Sequence, residues 1–191
     1  MSAIAKGGKA LVLGTLAAAF GVGAVAGVVA ERALIGRNLR KTPGAGEPFG
    51  SLHSPKIEVT CNDGVKIYAE VEEALENQND VTIVFSHGYA LRMDEFHYQR
   101  RDLRHLARMV FYDQRGHGSS EHGTKASHNV WQLGEDLYSV ISQVVPTGNI
   151  VLVGHSMGGM SIQALAKSHP ELFGSRIKAV VLACTSSGGV S

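Results

Sequence analysis

Residues Asn149 to His169 read NIVLVGHSMGGMSIQALAKSH, and this stretch decides the fold. Ile150, Val151, Leu152 and Val153 form an apolar, mostly β-branched run without a polar break, as in a strand buried on both faces. Gly154-His155-Ser156-Met157-Gly158 follows at once and fits G-x-S-x-G. Beyond it, Met160, Ile162, Leu165 and Ala166 recur at helical spacing until His169-Pro170 stops the run. Strand, serine and helix thus arrive in the order of a nucleophile elbow.

The spacing has a physical reason. Such a turn holds the serine in a strained backbone conformation with its hydroxyl raised above the sheet. Gly154 and Gly158 leave room where strand and helix backbones nearly touch. The amide of Met157, at the start of the helix, then faces a developing oxyanion.

Working outward, KIEVTC and VKIYAEV flank Asn62-Asp63-Gly64, which predicts a β-hairpin. VTIVFS (Val81 to Ser86) predicts a buried strand and ends in His87-Gly88-Tyr89. A polar, helix-compatible stretch runs from about Asp94 to Arg108, then MVFYD (Met109 to Asp113) gives another strand. Trp131, Leu133, Leu137, Val140, Ile141 and Val144 make an apolar stripe on a helix from Val130 to Val145. KAVVLAC (Lys178 to Cys184) supplies a sixth strand. Two antiparallel strands followed by alternating strands and helices imply an α/β fold, a mostly parallel sheet with helices on both faces.

The bulk properties exclude several classes. The 191 residues carry a formal net charge of +1, with no basic stripe interleaved with aromatics, so nucleic acid is not an expected partner. Cys61 and Cys184 lie far apart without metal-ligand spacing, and the nine histidines form no H-E-x-x-H pair. No metal and no cofactor is expected.

The N-terminus reads differently. Residues 10–30, ALVLGTLAAAFGVGAVAGVVA, carry no charge and at 1.5 Å per residue just span a hydrocarbon core of about 30 Å. Residues 1–35 are therefore read as a membrane segment, with a cleaved signal as the alternative because Lys6 and Lys9 precede the run and small residues end it. Arg32, Arg37, Arg40 and Lys41 outnumber Lys6 and Lys9, which keeps the domain cytoplasmic by the charge rule; a signal anchor of the usual polarity exports it. Residues 36–55 are glycine, proline and charge without periodicity, a linker to a domain at 56–191.

FSHGY after the third strand, YDQRGHGSS after the fourth and GHSMGG after the fifth together resemble the α/β-hydrolase family. The resemblance runs from about Lys56 to Ser187 and implies about six strands of an eight-stranded core. It implies Ser156 as nucleophile and the backbone amides of Tyr89 and Met157 as oxyanion hole. It also implies that His87 and Gly88 shape the loop beside the site, and that Asp113, Arg115 and His117 shape theirs. Serine in place of the aspartate of the dehalogenase and epoxide-hydrolase branches implies acyl transfer on a small-molecule ester, lipid or thioester, or C–C hydrolysis.

The family order places an acid and then a histidine after the serine. Here only Glu171 and His169 follow, and His169 stands thirteen residues on, about 20 Å along the helix. A base must approach to about 3 Å. The acid and base are therefore expected outside this chain, which reads as the N-terminal part of a membrane-associated serine hydrolase, inactive alone and with its sixth strand an open edge. The alternative is a non-catalytic, membrane-tethered binding module of the same fold. Substrate and oligomeric state are not written in these motifs.

Overall fold

The computed structural model describes residues 47–74 and 80–187. The segment read as a membrane span or signal, and most of the stretch read as a linker, lie outside the described residues. Among the described residues, no helix is long and apolar enough to cross a membrane.

Strands β1 (Lys56–Thr60) and β2 (Lys66–Glu72) form the hairpin. Gly64, at φ 84°, occupies the left-handed turn position, and its amide donates to the Cys61 carbonyl at 3.0 Å. Val59 faces Ile67 across the pair, both fully buried. β3 (Val81–Ser86) is followed by a short 3₁₀ turn (Met93–Phe96) and helix α1 (His97–Leu103). The helix-compatible stretch thus ends earlier than its polarity suggests: Leu106 and Ala107 amides fold back onto the Leu103 carbonyl, and Arg108 already belongs to β4 (Arg108–Asp113). α2 (Val130–Val144), β5 (Asn149–His155), α3 (Met157–Ser168) and β6 (Ile177–Ala183) follow, with further 3₁₀ turns at Lys125–Ser127 and Pro170–Leu172. Asn129 caps α2 by accepting from the Gln132 amide at 3.0 Å, an interaction worth about 1 kcal/mol.

The six strands run in the order β1-β2-β4-β3-β5-β6. β1–β2 and β2–β4 are antiparallel; every later pairing is parallel. The chain leaves β3 for β4 on one side and then crosses to β5 on the other. That reversal opens a crevice at the carboxyl ends of β3 and β5, where open α/β sheets bind ligands.

Both faces of the sheet are covered. On one, Val84, Val110, Ile150 and Leu152 pack against Leu137, Ile141, Ile162 and Leu165 of α2 and α3. On the other, Phe85, Met109 and Phe111 meet Met93 and Phe96, with Phe85 stacked on Phe111 at 4.8 Å between centroids. At about 1.5–3 kcal/mol for each fully buried large apolar side chain, these two layers are the main source of stability. β6 is the exception: on this edge strand Val180, Val181 and Leu182 are all exposed.

Residues Phe49–Pro55 are held against the domain by polar contacts. Buried Arg100 donates to Glu70 at 2.6 Å, to the Leu52 carbonyl at 2.9 Å and to Ser54 Oγ at 2.8 Å. Glu70 also accepts from the Ser54 amide at 2.9 Å and contacts His53 at 3.0 Å. Burial alone would raise the Glu70 carboxyl's pKa, but the Ser54 amide, the Arg100 guanidinium and His53 together hold it below the usual glutamate range.

Candidate active site

The register of the central strands builds the site. Ser86, the last residue of β3, pairs with Gly154 of β5, so the loop His87-Gly88-Tyr89 and the turn at Ser156 emerge side by side. Ser156 has φ 49° and ψ −112°, a conformation that non-glycine residues adopt only under strain, at about 1–3 kcal/mol. The surroundings hold it there. Its amide donates to Ala183 O of β6 at 2.9 Å, and its carbonyl accepts from Thr185 Oγ1 at 2.7 Å. Its hydroxyl makes no capping hydrogen bond to α3.

The two glycines of the motif are required by contact. A Cβ on Gly158 would sit 2.0 Å from the Ser86 carbonyl oxygen, and one on Gly154 would sit 2.7 Å from the Gly158 carbonyl. Helix α3 therefore rests directly on the backbones of β3 and β5. This close approach brings the amide of Met157, the first residue of the helix, next to the loop carrying Tyr89.

That loop is pinned on either side of Tyr89. The Gly88 amide donates to Glu95 Oε2 at 2.9 Å, and the Ala90 amide donates to His117 Nε2 at 3.2 Å. Among the described residues no hydrogen bond uses the amides of Tyr89 or Met157, so both remain available to a ligand oxygen. The Tyr89 side chain is exposed and meets the His117 ring edge-on at 5.8 Å.

His87 is fully buried and committed at both nitrogens. Nε2 accepts from the Gln114 amide at 2.9 Å, which leaves the proton on Nδ1, where it is donated to Gly88 O at 2.8 Å. Burial lowers its pKa and keeps the ring neutral. It is a brace for the loop. Gln114 extends the brace, since its side chain donates to His87 O at 2.5 Å and accepts from Ser161 Oγ of α3 at 2.8 Å.

The loop after β4 is structural in the same sense. Asp113 accepts from the Met93 and Ser119 amides at 2.9 and 2.8 Å. Arg115 forks between buried Asp136, at 2.6 Å twice, and Asp63, at 2.7 and 3.1 Å. His117 contacts Arg115 O at 3.0 Å through Nδ1, which presents Nε2 to the Ala90 amide.

His155 and His169 flank helix α3. His155 Nδ1 lies against Glu95 Oε1. His169 sits beyond the far end of α3, 3.1 Å from Glu135 and stacked on Tyr138. The structure thus brings together Ser156, Tyr89, Met157, His87, Gly88, Gly154 and Gly158, and separates His169 from them. Sequence reasoning passed over Glu95 and Gln114: Glu95 reaches the Gly88 amide seven residues back and His155 across the sheet, and Gln114, although inside YDQRGHGSS, meets His87 across the sheet.

Two cavities open here. One of about 170 Å³ is lined by Tyr89, Val130, Leu133 and Met157 among others. A larger one of about 840 Å³ runs past Tyr89, Glu95, His117, His122 and His128. Among the described residues no group of histidine, cysteine and carboxylate side chains is arranged to hold a metal ion.

Comparison with known proteins agrees with this geometry. Residues 81–189 match the family model for the alpha/beta hydrolase fold. The mouse sn-1-specific diacylglycerol lipase ABHD11 is 35% identical over 94 residues, which cover 47% of this chain and 29% of that protein. A thermophilic esterase from Thermogutta terrifontis superposes with a TM-score of 0.59 at 25% identity, covering 72% of this chain and 48% of the esterase. An epoxide hydrolase from Vigna radiata superposes at 0.56 with 25% identity, covering 67% and 39%. The chain spans less than half the length of the curated relatives it matches. On the family match, the strand order and the glycine-lined elbow, the chain belongs to the α/β-hydrolase family.

Proposed function

We propose that the protein is a serine hydrolase that acts on a carboxylic ester, lipid or other acyl substrate, with Ser156 as nucleophile. The observation that carries this reading is the strained Ser156 backbone at the β5–α3 junction, with its hydroxyl uncapped and the Tyr89 and Met157 amides unused among the described residues. In the reaction Ser156 Oγ bonds to the acyl carbon as its proton leaves to a base. The carbonyl electrons move onto oxygen, where the Tyr89 and Met157 amides receive them. Collapse expels the alcohol, and water then releases the acid from the acyl-serine. One oxyanion donor of this kind is worth roughly 3 kcal/mol. Likeness to an esterase and a diacylglycerol lipase supports an ester substrate, and the cavity of about 170 Å³ beside Met157, with Val130 and Leu133 in its wall, suits an apolar acyl group. Serine at the elbow argues against epoxide opening despite the Vigna likeness.

The reading needs an imidazole that takes the Ser156 proton. His87 is committed at both nitrogens, His155 faces Glu95 and His169 is at the far end of α3. These residues alone are therefore expected to show no meaningful ester turnover. The same commitment favours a second reading, a binding module that kept the elbow without a triad. We also assign residues 10–30 as a membrane anchor, which places the domain at a membrane surface; their length and lack of charge support it.

The test uses the polypeptide as its organism makes it. A fluorophosphonate probe is expected to label Ser156, with Ser156→Ala losing both labelling and ester turnover by about 10³-fold or more. Undiminished turnover in the alanine variant refutes the nucleophile. Absence of labelling in the wild type favours the binding module. Fractionation of the same polypeptide checks the anchor: deleting residues before Arg32 should move it from pellet to supernatant, and wholly soluble wild type refutes that assignment.

A further inference from the structure

The two amides of the oxyanion hole belong to different parts of the chain. Tyr89 sits on the loop after β3, and Met157 begins α3 after β5. Hydrogen bonds to an oxyanion need both donors within about 2.7–3.1 Å of one point. Something must therefore fix the β3 loop against the elbow beyond the last strand pair, Ser86 with Gly154.

Glu95 stands where that connection is needed. It lies in the 3₁₀ turn Met93–Phe96, whose Met93 and Phe96 side chains are anchored in the core. One carboxylate oxygen, Oε2, accepts the Gly88 amide at 2.9 Å, one residue before Tyr89. The other, Oε1, contacts Nδ1 of His155, one residue before Ser156 and two before Met157. A single carboxylate thus joins the residues next to both catalytic elements. Gly88 also lies close to His155, since a Cβ there would be 2.9 Å from His155 Nδ1. Glu95 is mostly buried, with its side chain 19% exposed, so solvent only partly competes for these contacts.

We propose that Glu95 is a positioning residue for the oxyanion hole, a carboxylate bridge that sets the spacing between the Tyr89 and Met157 amides. The proposal rests on Ser156 being the nucleophile. The Glu95 carboxylate acts through the Gly88 amide and His155. Its effect is on the placement of donors that bind the transition state more tightly than the ester, and so on kcat rather than KM.

Span, not charge, is the property that matters. Glu95→Asp keeps the charge but is one methylene too short to reach both partners. Glu95→Gln keeps the length and still offers a carbonyl oxygen to the Gly88 amide. In the full polypeptide, with p-nitrophenyl butyrate as substrate, Glu95→Asp is expected to lower kcat about 10-fold with KM within twofold. That is less than the 10²–10³-fold typical for deleting a donor outright. Glu95→Gln should keep at least half of the wild-type kcat. Amide hydrogen exchange at Gly88 should speed up in Glu95→Asp and change little in Glu95→Gln, a readout that needs no turnover and applies to any variant that folds.

Wild-type kcat in Glu95→Asp, equal losses in both variants, or unchanged Gly88 exchange in the aspartate variant would each overturn the bridge. Ser156→Ala measured alongside separates the two ideas. If it abolishes turnover while Glu95→Asp is unimpaired, only the bridge fails. If Ser156→Ala stays active, the nucleophile assignment fails and the bridge has no hole to position.

Discussion

Arg115 offers the sharpest test of how this fold is held. Its side chain is 1% exposed and carries four charge-assisted hydrogen bonds, two to Asp136, itself 1% exposed, and two to Asp63, 30% exposed. Replacing it as Arg115→Met keeps most of the volume and removes the charge. Asp63 then turns to water. Asp136 has no such exit: Gln132 Nε2, at 3.2 Å, is its other hydrogen-bond donor, and the buried Cys61 thiol is its neighbour.

Stranding one member of a buried ion pair typically costs about 3–5 kcal/mol, because the remaining charge keeps its desolvation penalty and loses its partner. With a urea m-value of about 2 kcal/mol/M for a domain of this size, the midpoint should fall by about 2 M. Far-UV circular dichroism is the suitable probe, since the single tryptophan, Trp131, is exposed and a poor reporter of the core. The decisive comparison is the double variant Arg115→Met, Asp136→Leu. Removing both charges abolishes the penalty, so most of the lost stability should return. A single variant within 1 kcal/mol of wild type, or a double variant less stable than the single, would refute this account.

Other expected outcomes test separate parts of the structure. Gly158→Ala brings a Cβ to 2.0 Å from a backbone carbonyl oxygen, so it should destabilise by at least the 1–3 kcal/mol usual for overpacking. Gly64→Ala, with φ 84° but open space around it, should lose only about 1 kcal/mol; equal effects in urea melts would show that the elbow is less tightly packed than described. Glu70 titrates below its ordinary range when folded, so its stabilisation is complete above about pH 4.3 and is lost as pH falls through the lowered folded value. Acid titration of stability should therefore slope less in Glu70→Gln, and an unchanged slope counts against the Arg100–Ser54–Glu70 linkage. Burial pushes the Cys61 thiol well above its usual range whereas Cys184 is exposed, so iodoacetamide should label Cys184 in the folded protein and Cys61 only in denaturant.

The elements of this domain were legible because each carries its own local signal. β3, β5 and α2 declare themselves by apolar runs or a helical stripe, and the hairpin by Asn62-Asp63-Gly64. Ser156 was legible for a related reason. An elbow needs glycines at fixed spacing, and a Cβ on Gly158 would lie only 2.0 Å from the Ser86 carbonyl oxygen. Periodicity was silent where polar residues do tertiary work. The stretch after β3 reads as helix-compatible throughout, yet α1 ends at Leu103 because the chain must turn back into β4.

Pairing across the sheet belongs to the tertiary structure alone. The reversal from β4 to β5 on opposite sides of β3 places the His87–Tyr89 loop beside Ser156, and only then do Glu95 and His155 meet, or Gln114 and His87. A hydrogen bond between residues far apart in the chain leaves no spacing to read, since its geometry exists only once the strands are in register. The sequence by itself determined which residues form strands and helices and which serine stands at their junction, because those depend on neighbours along the chain. Which histidine is a brace, which carboxylate is a bridge and which amides stay free was decided by the packing of β3, β5 and α3, because burial and hydrogen-bond partners are properties of the folded surroundings.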